Sequence, residues 1–256
     1  LSAGVDGRII RVDEEALQTA VWNTDSPVRV LATTPDGSTA FAGTEEGSVL
    51  RLDLESGEDE VIGQVGQEVL AMTWLPGPSA LLIGDAVGTV SLMVPEDDGW
   101  RVSPIAEFGA EVRSISSDPA DSRVALAGAL PTVTILDTDD WSTLAVLRGH
   151  TSDVRDTAWS DDGSTLVTVS RDQTVRLWTR DFAELSVANV HRADNRAVHV
   201  GTGDTIVTAS NSGETLLWPG PPAWETAGCM LAERALSPSE WAIHAGPDVS
   251  PVAICN

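Results

Sequence analysis

Lysine and tyrosine are missing from this chain of 256 residues, and only two cysteines occur, Cys229 and Cys255. Without lysine there is no phosphate-binding loop of the form GxxxxGK followed by Ser or Thr. Two cysteines confined to the C-terminal end exclude a disulfide framework and zinc-type ligand spacing, and they fit a reduced cytoplasmic compartment. No apolar run reaches the roughly 18 residues of a membrane helix, and no basic stretch followed by an apolar one marks a secretory signal. Positive charge is scarce as well: 15 basic residues, all arginine, face 39 acidic ones, a net charge of -24. Such a balance repels phosphate backbones and anionic membranes, which excludes nonspecific nucleic-acid and membrane binding. Arginine without lysine points to GC-rich bacterial coding.

What is present is length enough for one large domain or two small ones. The opening LSAGVDGRII reads as the interior of a longer chain. Short β-rich runs recur along it: RIIRVD, SVLRLD, TVSLMV, TVTILD, TVRLWT and ETLLWP, with equivalent positions at Val12, Leu52, Met93, Leu136, Trp178 and Trp218. Successive positions are 40, 41, 43, 42 and 40 residues apart. A period near 40 built of strands predicts a propeller rather than a sandwich.

Other features hold a fixed phase to these runs. A turn precedes them at Thr34-Pro35-Asp36-Gly37, Leu75-Pro76-Gly77-Pro78, Asp118-Pro119 and Ser160-Asp161-Asp162-Gly163, where Pro, Asp and Gly preset tight-turn dihedrals. Earlier still stands an apolar residue, Val28, Val69, Val112 or Val154. The unit around Asn195 to Val200 slips by about one residue.

These units resemble WD repeats, and RGHTSDVRDTAWSDDG continuing to Thr179 is the clearest copy. The resemblance implies a buried hydrogen-bond network of His150, Ser170, Asp172 and Trp178. A buried imidazole and indole N–H need acceptors, and a carboxylate fixes the tautomer. His150 is then a structural pin, since no second ligand stands beside it at metal spacing. Asp6 and Glu46 align with Asp172, His191 falls within one residue of the place of His150, and Trp218 aligns with Trp178. Leu52, Met93 and Leu136 replace that Trp, so their units depend on apolar packing.

The expected fold is therefore an all-β WD-repeat β-propeller over residues 1–227. A partial repeat, 1–22, precedes five complete ones at 23–62, 63–105, 106–147, 148–186 and 187–227, with six or seven blades when closed. A closing segment, 228–256, follows the proline-rich PGPPAW. Within it Ser237-Pro238-Ser239-Glu240 has the form of a capping box, which predicts a short helix carrying Trp241. Cys229, Leu231, Ala232, Arg234, Leu236, Ser237, Glu240, Trp241 and Cys255 resemble the closing segment of WD-repeat regions in bacterial STAND-type NTPases. That resemblance implies an ATPase and an effector in another part of the protein. Cys229 and Cys255 are expected as buried free thiols, with pairing open if the tail folds back.

Function follows as binding: a protein-interaction or ligand-sensing module that regulates upstream domains of the same polypeptide. The alternative is a passive scaffold of another bacterial multidomain protein, such as a protein kinase. Partners of WD repeats meet the face at the start of the innermost strands, where the resemblance places Arg29, Leu70, Arg113, Arg155 and Arg171. Arginines there suit carboxylates or an acidic peptide; as ordinary ion pairs they would instead neutralise Asp153, Asp156 and Asp172. No cofactor and no intrinsic enzyme are expected, because the inner positions Val28, Val69, Val112 and Val154 are inert and no Gly-x-Ser-x-Gly elbow occurs. The acidic runs ESGEDE and PEDDG belong to solvated outer loops.

Overall fold

The computed structural model describes residues 1–12, 18–120 and 122–221. They form six antiparallel sheets in chain order. The first holds β1 (Ser2–Ala3), β2 (Arg8–Val12) and β3 (Gln18–Asn23). The second holds β4 (Val28–Thr33), β5 (Thr39–Thr44), β6 (Ser48–Asp53) and β7 (Asp59–Gln64). The third comprises β8 (Val69–Leu75), β9 (Ala80–Asp85), β10 (Thr89–Glu96) and β11 (Gly99–Glu107). In the fourth lie β12 (Val112–Ser117), β13 (Arg123–Gly128), β14 (Leu130–Asp137) and β15 (Thr143–Arg148). The fifth has β16 (Val154–Trp159), β17 (Thr165–Ser170), β18 (Val175–Thr179) and β19 (Glu184–Ala188). The sixth has β20 (Asn195–Gly201), β21 (Thr205–Ser210) and β22 (Thr215–Pro219), with a 3₁₀ turn at Thr202–Asp204.

Each sheet is a meander, so every pairing is local and hairpin-connected. The expected turns close the first hairpin of the sheets: Gly37 and Gly163 have φ of 69° and 65°, and Asp162 accepts from the Ser160 hydroxyl and the Ser164 N–H, both at 2.8 Å. The units drawn on the sequence from 63 and from 106 open on the last residues of β7 and β11. Those outer strands run on because Ser48 pairs with Gln64 and Thr89 with Glu107.

There is no single core. Five apolar clusters lie one between each consecutive pair of sheets. This is why the second strands β9, β13 and β17 are buried along their whole length and, apart from Asp85 and Arg123 at their ends, carry continuous apolar or small residues instead of an alternation. Volume is matched across the gaps. Gly43 on β5 and Gly84 on β9 face Val69 and Val112, so closely that a Cβ on either glycine would overlap the valine. At the same place in the fourth sheet Ala127 shares a cluster with Val154. Phe41 stacks on Trp74 of the next sheet at 5.2 Å between centroids.

Polar contacts also cross between sheets, and two side chains are central to them. Arg123, on β13, pairs with Asp118 at 2.9 Å, donates to the carbonyls of Gly163 and Arg180 in the fifth sheet, and lies over Trp159 and Phe182. Burial works against the charge of Asp118, yet hydrogen bonds from Arg123 and Ser122 hold its carboxyl below the usual range. Asp156, on β16, accepts from the Ser114 hydroxyl at 2.8 Å on one side and from the Val198 N–H at 2.9 Å on the other, joining three sheets. Burial raises its pKa against those hydrogen bonds.

The series of four-stranded sheets has the form of propeller blades. Among the described residues no strand pairing joins the first sheet to the sixth. The expected helix at Ser237–Glu240, Trp241 and the two cysteines lie outside the described residues.

Candidate functional site

His150 sits in the turn before β16 with its ring buried beneath the fifth sheet. Its Nδ1 lies 2.9 Å from Asp172 Oδ2 and its Nε2 lies 2.8 Å from Thr168 Oγ1. The indole Nε1 of Trp178 donates to the same Thr168 oxygen at 3.0 Å. Asp172 also accepts from the Thr174 hydroxyl at 2.6 Å and from the Thr151 N–H at 2.9 Å. A neutral imidazole protonated on Nδ1 satisfies the set: it donates to Asp172 while the Thr168 hydroxyl donates to Nε2. Burial lowers the pKa of His150, with Asp172 opposing. For Asp172 burial acts upward, but the donors of Thr174 and Thr151, together with His150, bring its pKa down to about 2.

The hydroxyl that joins His150 to Trp178 is therefore Thr168, not Ser170. Trp178 pairs with Leu166 across the ladder, so Ser170 stands four residues away, about 13 Å at strand rise, beyond reach of the indole. Ser170 instead donates to the Ser152 carbonyl at 3.0 Å and accepts from the Asp172 N–H at 3.1 Å. Asp172, His150 and Thr168 have the order of a hydrolytic triad, but the hydroxyl is fully buried and capped by the indole. No substrate can reach it, so the constellation holds the turn and does no chemistry.

A second copy of this arrangement is only half legible in the sequence. In the sixth sheet His191 Nε2 meets Thr208 Oγ1 at 2.9 Å and its Nδ1 meets Glu214 Oε2 at 3.0 Å. Thr208 follows Thr168 at the repeat period. Glu214 does not follow Asp172: its longer side chain reaches back from the start of the third strand. Trp218 Nε1 finds no partner among the described residues. Asp6 and Glu46, which align with Asp172, face no histidine among the described residues; Asp6 accepts from the Arg8 N–H. Leu52, Met93 and Leu136, in the place of Trp178, are almost wholly buried.

At the same end of the sheets, where the first strands begin, the ladder shows a repeated irregularity. Register shifts by one residue at Val28/Val30, Val69/Ala71, Val112/Ser114, Val154/Asp156 and Asn195/Ala197. Each is a β-bulge, in which one extra residue has no partner across the ladder and its side chain is re-aimed. The extra residues are Arg29, Leu70, Arg113, Arg155 and Arg196. Arg196 escaped the sequence reading because Asn195 replaces the apolar anchor of the other sheets. Arg171 is not a bulge residue; it lies in the turn after β17.

The rim differs from place to place in how far it is neutralised. Arg29 is 2.9 Å from Glu45 and 2.6 Å from Glu68. Arg171 is held by Asp194 at 3.1 Å and by Asp153 at 3.6 Å, and Arg113 pairs with Glu111. Among the described residues Arg155 has only Asp153 at 3.7 Å, although its side chain is 10% exposed. Its Nε has no hydrogen-bond partner among the described residues. Burial, and then the charges of Arg113 and Arg196, depress the pKa of this guanidinium. Neither Asp156 nor Asp172 serves as a counter-ion here, contrary to the ion-pair expectation. Asp156 is engaged between sheets, and Asp172 with His150. Among the described residues no group of three or more His, Cys, Asp or Glu could hold a metal ion.

Comparison with known proteins places the repeat itself. Residues 141–179 match the family described as WD domain, G-beta repeat. The match begins in the turn before β15 and ends with β18, so one sequence repeat takes its first strand from one sheet and three strands from the next. The chain is 31% identical over 115 residues, 44% of its length, to a probable cytosolic iron-sulfur protein assembly protein 1 of Aspergillus flavus. It is 25% identical over 170 residues, 64% of its length, to the protein of the same name from Candida glabrata. It is 49% identical over 43 residues, 17% of its length, to protein HIRA of Oryza sativa. The aligned region spans 24%, 38% and 4% of those relatives. They are fungal and plant proteins and lend no support to the bacterial origin or the STAND-type ATPase expected from the sequence.

Proposed function

We propose that this WD-repeat chain is a protein-interaction module whose partner, an acidic peptide segment, docks on the face formed by the bulged ends of the first strands. The observation that carries the reading is the repeated bulge. It frees one residue from the ladder in each of the second to sixth sheets, and four of the five freed residues are arginine in a chain of net charge -24. Arginine forks recognise carboxylates bidentately and are the residue of choice for desolvated contacts with them. Such a module acts by holding its partner, and a ring of six or seven of these sheets would present the face as one surface. The iron-sulfur assembly role named for the fungal relatives is not carried to this chain, because the aligned regions span only 24% and 38% of those relatives.

A setting at the C-terminal end of a STAND-type ATPase rests on the tail motif from Cys229 to Cys255 alone. A passive scaffold in a protein kinase fits the repeats equally. A P-loop or a kinase domain in the same reading frame would separate the two.

The docking reading is tested by fluorescence anisotropy with a labelled decapeptide alternating Glu and Gly, against its Lys-Gly counterpart. The parent chain should bind only the acidic peptide. A variant with Arg29→Glu, Arg113→Glu and Arg155→Glu, matched in thermal stability, should lose that binding. Equal binding by parent and variant overturns the reading.

A further inference from the structure

Four Asp-Gly pairs occur in the chain: Asp6-Gly7, Asp36-Gly37, Asp98-Gly99 and Asp162-Gly163. In such a pair the glycine has no Cβ to shield its backbone nitrogen, so that atom can reach the side-chain carboxyl before it. All four aspartates are exposed, and solvent access therefore does not separate them. Hydrogen bonding does. Asp36 accepts from the Thr34 hydroxyl, from the Ser38 N–H at 3.1 Å and from the Ser38 hydroxyl at 3.0 Å. Asp162 is held in the same way by the Ser160 hydroxyl and the Ser164 N–H, both at 2.8 Å. Asp6 has a bond from the Arg8 N–H at 3.2 Å. In these three turns the carboxylate is drawn past the glycine to the residue beyond it, and turning back to the glycine nitrogen first breaks those bonds. Asp98 has no hydrogen bond or ion pair among the described residues. Arg101, the cation three residues on, is taken by Glu96. Asp98 stands in the turn between β10 and β11, where Glu96 pairs with Gly99 and only Asp97 and Asp98 lie between. Gly99 has φ of 136°, with open space where a Cβ would be.

We propose that Asp98-Gly99 is a site of spontaneous covalent modification, at which aspartate isomerises to isoaspartate while the turns of the other three pairs protect them. The Gly99 nitrogen attacks Asp98 Cγ. The N–Cγ bond forms, a Cγ–O bond breaks, and the amide proton leaves with the carboxyl hydroxyl as water, closing a succinimide. Water then opens the ring at either carbonyl. Attack at Cγ restores aspartate, whereas attack at the α-carbonyl carbon leaves the chain running through the side chain, with a free α-carboxylate. Water is released once and consumed once, so the step needs no oxidant, reductant or cofactor. The product carries one more methylene in the backbone of a two-residue turn. That turn directly precedes Trp100, whose ring meets Phe41 of the second sheet edge-on at 6.0 Å between centroids.

The experiment incubates the full 256-residue chain at physiological temperature and neutral pH and follows isoaspartate by electron-transfer mass spectrometry. Cleavage at arginine puts each Asp-Gly pair on its own peptide. Isoaspartate should accumulate at Asp98 about tenfold faster than at Asp36 or Asp162, because hydrogen bonds to a charged group must break first at those two. Asp6 should fall between. Asp98→Glu, which would need a six-membered ring, should abolish the signal at that position. In strong denaturant the four pairs should react at similar rates. Thr34→Val with Ser38→Ala should bring Asp36 toward the rate of Asp98. Should that double variant fail to fold, Ser38→Ala alone should still speed the reaction of Asp36.

Equal rates at the four pairs of the folded chain overturn the proposal. So does a lead at Asp98 that persists in denaturant, which would place its cause in the neighbouring sequence and not in the fold. An Asp36 rate unchanged in the turn variants overturns it as well, because hydrogen bonding would then not be the protection.

Discussion

The guanidinium of Arg123 lies over the indole of Trp159, 4.8 Å from its centroid, across the boundary between the fourth and fifth sheets. It also lies 5.7 Å from the ring centroid of Phe182 and is tied to Asp118, a carboxylate only 1% exposed. One side chain therefore seals an inter-sheet gap that apolar residues elsewhere fill.

Arg123→Ala should destabilise the chain by about 3 kcal/mol, since it leaves a buried carboxylate without its cation. Pairing it with Asp118→Leu should recover part of the loss, because no orphan charge then remains. Urea melts of both single variants and the double one would check this. Additive losses would show that the pair is not coupled.

Thr168→Val should cost more than Ser170→Ala. The first removes the acceptor of Trp178 and the partner of His150 Nε2 together, leaving two buried polar groups unsatisfied at about 1 to 3 kcal/mol each. The second loses two bonds at a strand end, to the Ser152 carbonyl and from the Asp172 N–H, about 1 kcal/mol each. Thermal denaturation ranks them directly, and the reverse order would put the network on Ser170.

The same network makes stability depend on pH in two windows. The folded pKa of Asp172 is depressed to about 2. Its contribution is therefore complete above the unfolded value of 3.8 and lost as pH falls from there through about 2, on the order of 2 kcal/mol in all. His150 is also depressed, by burial. The unfolded chain takes up that proton first, so stability declines as pH drops below about 6.5. Melting temperature measured from pH 8 to pH 2 should fall in both windows for the parent. In His150→Gln the decline below 6.5 should shrink, and in Asp172→Asn the acid step should.

Two glycines should fail for different reasons when replaced by alanine. At Gly84 the added Cβ would overlap Val112, so Gly84→Ala should cost about 1 to 3 kcal/mol and be partly rescued by Val112→Ala. At Gly37 nothing lies within 4 Å, but φ is 69°. The cost there, about 1 kcal/mol of left-handed strain, should resist any rescue by neighbours. A double-mutant cycle at Gly84 distinguishes the two cases.

The sheets were legible in the sequence because period and turn chemistry are local. Pro35-Asp36-Gly37 and Asp161-Asp162-Gly163 sit where the chain reverses, and Val28, Val69, Val112 and Val154 each open a first strand. Choosing Thr168 over Ser170 was beyond the sequence, because both side chains point to one face of β17 and only the ladder register says which lies under the indole. The bulges were hidden for a similar reason. A bulge is a mismatch between two strands, and neither strand records it alone. Arg196 was masked by Asn195, whose buried amide donates to the Thr174 carbonyl at 3.0 Å where the other sheets place a valine.

The bulge has a further consequence for how such a surface can change. A residue freed from the ladder carries no backbone pairing, and so its side chain can be exchanged without disturbing the strand that presents it. Leu70 already stands where four other sheets place arginine. The mouth of this protein is thus a row of type slots: the frame is fixed by buried valines and glycines, and the message is spelled one character per sheet.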